Sequence, residues 1–115
     1  MSDLQDLQKR IIAFRDERNW KQFHNPKDLA ISLALEAAEV MEHFQWKSPA
    51  EIKKHIKEKH DEVSDELIDV LYWVLLLAND LNVDIKQAFD RKMVENAKKY
   101  PVEKSKGSHK KYTEL

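Results

Sequence analysis

Cysteine is absent from this chain. That excludes disulfide staples, a thiolate nucleophile and any Cys-based zinc site. Glycine occurs once and proline three times in 115 residues, too few turn formers for a protein of many tight strand connections. Net charge is nearly absent as well. Twenty basic residues against 21 acidic ones leave −1, so no global field draws the chain to nucleic acid or to an anionic membrane. The opening Met1-Ser-Asp-Leu-Gln-Asp6 lacks the basic and apolar blocks of a secretory signal. The longest apolar run, Leu67 to Ala78, is interrupted by Asp69 and too short to span a bilayer. These absences predict a soluble, cytoplasmic protein with neither nucleic acid nor a membrane as partner.

What remains is hydrophobic (42%) and charged (36%), in long stretches of 3.6-residue period. That mix predicts an all-α domain of the four-helix-bundle type. Helix 1 is expected from about Ser2 to Arg18, with Leu4, Leu7, Ile11 and Phe14 on one face. Asn25-Pro26 starts helix 2, which is expected to run to about Gln45, since Asn caps well and Pro is tolerated at the first helical position. Ser48 and Glu51 form a capping box opening helix 3, with a break or bend expected before Asp61 and the remainder reaching about Leu81. Asp84 and Gln87 open helix 4, and Pro101 ends it after about Lys99. The division expected is a helical catalytic domain over 1–101 and a tail over 102–115 that would be mobile alone.

Two acidic pairs organise the chain: Glu36 with Glu39, and Glu66 with Asp69. Each is spaced i, i+3, so each presents two carboxylates on one helix face, one turn apart. The segments around them are apolar almost all round, as in buried helices. No Lys or Arg occurs between Leu29 and Trp46 or between Leu67 and Asn82. Carboxylates in such surroundings are costly unless compensated. A solvent-facing stripe would mix in lysine, so two purely acidic stripes fit better facing each other around a cation. All-oxygen ligands favour Mg²⁺, with Mn²⁺ also possible, over zinc. A di-iron site would want Glu-x-x-His pairs, and neither pair has the His. A hard cation that shares its shell with phosphate oxygens points to attack of an activated water on a phosphoanhydride.

Aromatics are concentrated near these pairs. Trp20 and Phe23 lie in the loop before helix 2, Trp46 just past its end, and Trp73 one turn beyond Asp69. Packing is the plain role for such residues. The functional one is a slot for a stacked base, with His24 and Asn96 as polar contacts. Lys92 is a candidate phosphate clamp, and the tail lysines Lys104, Lys106, Lys110 and Lys111 can close over an anion. The run from Lys53 to Lys59 is interleaved with glutamates and reads as a solvated face.

At this point the residues match a family. Glu36-x-x-Glu39 followed by Glu66-x-x-Asp69 resembles the MazG-like nucleoside triphosphate pyrophosphohydrolases, closest to the single-domain dCTP pyrophosphatase branch. The similarity extends through Glu17-Arg-Asn-Trp-Lys-Gln-Phe-His24, Phe44-Gln-Trp-Lys-Ser48, Lys92-Met, Asn96, Tyr100-Pro-Val102, Gly107-Ser and Lys111-Tyr-Thr113. The resemblance implies an all-α, oligomeric fold working as a homo-tetramer, a dimer of dimers with sites completed across subunits. It implies Mg²⁺-dependent cleavage of a (deoxy)nucleoside triphosphate to the monophosphate and pyrophosphate. It makes Glu36, Glu39, Glu66 and Asp69 the metal ligands. Trp20, Lys21, Gln22, Phe23, His24 and Trp46 would hold base and sugar, and Lys92 and Asn96 would meet phosphates or sugar. Two positions depart from the animal members of that branch: Ile11 stands in place of a His, and Trp73, beside Tyr72, in place of a Tyr. Both would lie in the base pocket, which leaves the preferred base open between cytosine, modified cytosine and a wider set.

The mechanism expected has the four carboxylates holding the cation and Glu39 taking the proton from water. Two other readings stand beside it. One is a broad house-cleaning pyrophosphatase for non-standard nucleotides. The other is a non-catalytic helical oligomerisation module whose acidic stripes are solvated.

Overall fold

The computed structural model describes residues 3–115. Among these the elements are helical throughout: α1 (Leu4–Glu17), α2 (Pro26–Glu42), α3 (Pro49–Glu58), α4 (His60–Asp80), α5 (Ile85–Lys99) and α6 (Val102–Ser105), with 3₁₀ turns at Lys21–Phe23 and Tyr112–Glu114. The all-α expectation holds.

Local chemistry sets most boundaries. Asp3 caps α1 by accepting from the Asp6 amide at 2.8 Å; the expected start near Ser2 lies outside the described residues. Asn19, with φ 53°, turns the chain out of α1, a conformation Asn tolerates. Asn25 accepts from the Asp28 amide at 2.9 Å with Pro26 at the first turn of α2. The Ser48–Glu51 capping box is made in both directions. Asp84 caps α5, and α5 stops at Lys99 ahead of Pro101.

One boundary differs from expectation. Helix α2 ends at Glu42 rather than near Gln45, and residues 43–46 form a turn closed by Trp46 at φ 68°. The break expected before Asp61 is present: the third helix is two helices, parted at Lys59 (φ −116°, ψ 30°), one residue before α4 begins. Beyond the break, His55 of α3 meets His43 past the end of α2, its Nε2 2.9 Å from Nδ1 of His43.

The chain forms two compact units, one ending at Asn82 and one spanning Val83–Leu115. In the first, α4 is the common partner: α2 runs along it, and α1 and α3 also pack on it. Leu29 of α2 and Leu75, Leu76 and Ala78 of α4 are buried there. Burying each leucine side chain stabilises the fold by about 1.5–3 kcal/mol. Gln8 ties α1 to α4 by donating to the Leu75 carbonyl at 2.8 Å. In the second unit, Tyr100 meets Tyr112 edge-on and Lys99 lies over the Tyr112 ring, so the segment after Pro101 folds back on α5.

Candidate active site

Packing of α2 along α4 brings the two acidic pairs together. One ligand oxygen from each of Glu36, Glu39, Glu66 and Asp69 lies within 4.8 Å of all the others. Glu36 and Glu66 are half-buried; Glu39 and Asp69 are exposed. Among the described residues no Lys, Arg or His forms an ion pair with any of the four.

The cluster is electrostatically incomplete by itself. The Glu66 carboxyl is pushed up to about 7, first by its hydrogen bond with Glu39, then by desolvation and by the charges of Glu39, Asp69 and Glu36. Glu36 is raised too, mainly by burial and then by Glu39 and Asp69, while the Trp73 indole N–H pulls the other way. One oxygen of each, Glu36 Oε2 and Glu66 Oε2, is buried with no hydrogen-bond partner. A buried acceptor without a donor costs free energy. A cation supplies what both oxygens lack, and four hard oxygen donors suit a divalent one. The donor set fits a metal ion.

Beside the carboxylates opens a cavity of about 620 Å³. Glu36 and Asp69 line one part of it, and Phe14, Trp20, Tyr72 and Trp73 form aromatic walls, with Ile11 and Ile68 among the apolar remainder. The rings brace one another edge-on: Phe14 on Trp20 at 5.8 Å, Phe14 on Tyr72 at 6.3 Å, and Tyr72 on Trp73 at 5.0 Å between centroids. Arg10 is the cation among the lining residues. This volume is within the ordinary range for small-molecule sites, roughly 300–1,000 Å³.

The other residues expected at a site are spread more widely. Trp20 and Trp73 line the cavity. His24 stands behind Trp73, ring centroids 5.8 Å apart. Lys21, Gln22 and Phe23 make the exposed 3₁₀ turn, where Gln22 donates to the Asn19 carbonyl at 2.9 Å and Phe23 is 68% exposed. Trp46, 91% exposed, is not in the cavity wall. Lys92 and Asn96 belong to α5 of the second unit, where Lys92 pairs with Glu95 at 3.8 Å. Lys104 lines a separate 380 Å³ hollow of that unit with Lys98 and Lys99. Sequence reasoning missed Arg10, Ile68 and the role of Phe14 as a wall. Phe14 was visible only as one more apolar residue of α1, and nothing local distinguishes a wall from a core position.

Four converging carboxylates beside an aromatic hollow, in a chain whose elements among the described residues are all helical, define a helical protein whose donor set could hold a metal ion and whose cavity has room for a small organic ligand. The model of the MazG-like family matches residues 31–115, and the chain belongs to that family. It is 40% identical over 114 residues to dCTP pyrophosphatase 1 of Rattus norvegicus, covering 97% of this chain and 67% of the relative. It is 36% identical to dCTP pyrophosphatase 1 of Homo sapiens, with the same coverage. Among solved structures, a pyrophosphatase from Archaeoglobus fulgidus superposes with a TM-score of 0.81 at 36% identity, covering 88% of this chain and 94% of the other.

Proposed function

We propose that this protein is a nucleoside triphosphate pyrophosphohydrolase that takes dCTP or a modified dCTP to the monophosphate and pyrophosphate. The observation that carries the reading is the convergence of four carboxylates, two with orphaned buried oxygens, at the edge of an aromatic cavity. The names of the two relatives support a dCTP substrate, and that of the solved structure a pyrophosphatase reaction.

Glu36, Glu39, Glu66 and Asp69 would hold the cation, Mg²⁺ or Mn²⁺. Bound there, it would screen phosphate charge and acidify a water. The chain's own groups do the rest. Glu36 and Glu66, half-buried, each turn one orphaned buried oxygen towards the cluster. Glu39, exposed beside Glu66, would accept the proton from that water. Trp20, Phe14 and Tyr72 offer faces and edges to a base, and Trp73 joins that wall to Glu36. Lys92 and Asn96 of α5 are assigned to phosphate or sugar. A homo-tetramer belongs to the same reading, supported by the apolar residues left exposed on α2 and α4 and by Trp46, which is exposed and strained at φ 68°. No helix among the described residues is long and apolar enough to cross a membrane, and a cytoplasmic setting suits a free nucleotide substrate.

The test is pyrophosphate release from the four common dNTPs, 5-methyl-dCTP and dUTP, each with and without Mg²⁺. Mg²⁺-dependent release greatest on the cytosine nucleotides is the expected result. Even release across the panel would move the function to general nucleotide clean-up, and none from folded protein would end the hydrolase reading.

A further inference from the structure

The most deeply buried charged side chain among the described residues lies outside the carboxylate cluster. Arg15, in the last turn of α1, is 1% exposed. Its two terminal nitrogens donate to both oxygens of Asp80, in the last turn of α4, at 2.8 and 2.9 Å. Asn79 donates to the same carboxylate at 3.2 Å. Such a fork is geometrically specific. As a stabiliser it gains little over a well-packed apolar pair, because both ions lose their water.

Its neighbours give the pair more to do than join two helices. Nη1 of Arg15 also faces Nδ1 of His24 at 3.4 Å. The Arg15 carbonyl accepts from the backbone amides of Arg18 and Trp20, each at 3.2 Å. The His24 ring meets Trp73 edge-on, the planes inclined at 68°. Trp20 and Trp73 are both walls of the cavity. The two tryptophans therefore connect back to one arginine, through its carbonyl and through the imidazole.

A guanidinium has no acceptor lone pair and keeps its charge at any working pH. A hydrogen bond between the two requires Nδ1 of His24 to accept, which would put the ring hydrogen on Nε2. Burial, and then the Arg15 charge, push the His24 imidazole below its ordinary value, with Asp80 pulling the other way. Both burial and the Arg15 charge favour the neutral ring. We propose that Arg15 and Asp80 are a positioning pair: they fix His24 as the Nε2–H tautomer, seat it against Trp73, and so set the aromatic wall against which the nucleotide lies. This rests on the nucleotide reading above. Neither residue lines the cavity; the side-chain pair acts through His24 on Trp73.

The test combines imidazole ¹H–¹⁵N correlation spectra with steady-state kinetics on the full chain. The spectra separate the two tautomers from the imidazolium, and His24 is assigned by the loss of its signals in His24→Gln. At about pH 7 the wild type is expected to show His24 as the Nε2–H form. The variant Arg15→Met/Asp80→Leu leaves no lone buried charge and is expected to show both tautomers. In it, KM for dCTP with Mg²⁺ rises about fivefold, the scale of one lost hydrogen bond, while kcat changes less. A pair that only joined α1 to α4 would shift Tm and leave tautomer and KM alone, which would overturn the proposal. So would a wild-type His24 with its hydrogen on Nδ1 or on both nitrogens, a result independent of whether the double variant folds. If the wild type turned over no nucleotide, the hydrolase reading would fall, and the tautomer spectra would still judge the pair.

Discussion

Glu66 is the residue on which the proton balance of the carboxylate cluster turns. Its carboxyl, pushed up to about 7 from 4.5 by Glu39 and by desolvation, keeps a proton in the native chain that the unfolded chain sheds. Metal-free stability should therefore be fullest below the unfolded value and fall as pH rises through the window between 4.5 and about 7. A divalent cation competes with that proton, so it should bind better as the proton leaves. The gain in Tm from Mg²⁺ over EDTA is expected to be larger at about pH 8 than at about pH 6; an equal gain at both would remove the cation from these carboxylates. Glu39 carries a second prediction. Glu39→Gln removes the proton acceptor while keeping the shape, and pyrophosphate release should drop by about 10²–10⁴-fold with Tm held or raised. Retained turnover would exclude Glu39 from the reaction. At this scale the acidic pairs were legible in sequence, because two i, i+3 doublets in cation-free apolar helices leave few other solutions. Arg15 was not. It is one of several charged residues on α1, beside Asp16, Glu17 and Arg18, and only the tertiary approach of Asp80 marks it out.

Among elements, the caps were legible to the residue, and the interruption of the third helix was legible without its exact place. Asn25-Pro26, Ser48 with Glu51, and Asp84 announce helix starts through local hydrogen bonds that need no partner element. The break at Lys59 has no proline or glycine to mark it, so the sequence set it before Asp61 without fixing the residue. The contact beyond the break is tertiary: His55 meets His43 at 2.9 Å. A hydrogen bond between two imidazoles needs one nitrogen to accept, and so at least one neutral ring. Burial lowers His55, as do the Lys47, His43 and Lys59 charges, against an opposing pull from Glu62. With the folded value depressed below the ordinary 6.5, the unfolded chain binds the proton first. Stability attributable to this pair is thus present above the ordinary value and lost as pH falls through it. Replacing His55 with Phe should flatten the loss of Tm on acidification between about pH 7 and pH 5.5. The same slope in variant and wild type would show that the α2–α3 contact does not titrate.

For the whole molecule, a single chain leaves apolar surface that a helical domain of this size would ordinarily cover. Leu35 on α2 is 61% exposed and Leu67 on α4 is 54% exposed, on the two helices that also carry the carboxylates. The sequence hinted at this through helices apolar nearly all round, but periodicity cannot count subunits; that number came only from the family resemblance. Association over these helices would stiffen the elements that hold Glu36, Glu39, Glu66 and Asp69 in register, so assembly and activity should be coupled. Light scattering is expected to give a mass four times the 13.6 kDa chain. Leu35→Glu with Leu67→Glu places charges on surface that association must dehydrate, and should shift that mass downward. Activity per chain should then fall and recover partly at higher protein concentration, as mass action requires. A wild-type mass of one chain at full activity would show that the site is complete without a second copy, and would return Leu35 and Leu67 to being solvent-exposed residues.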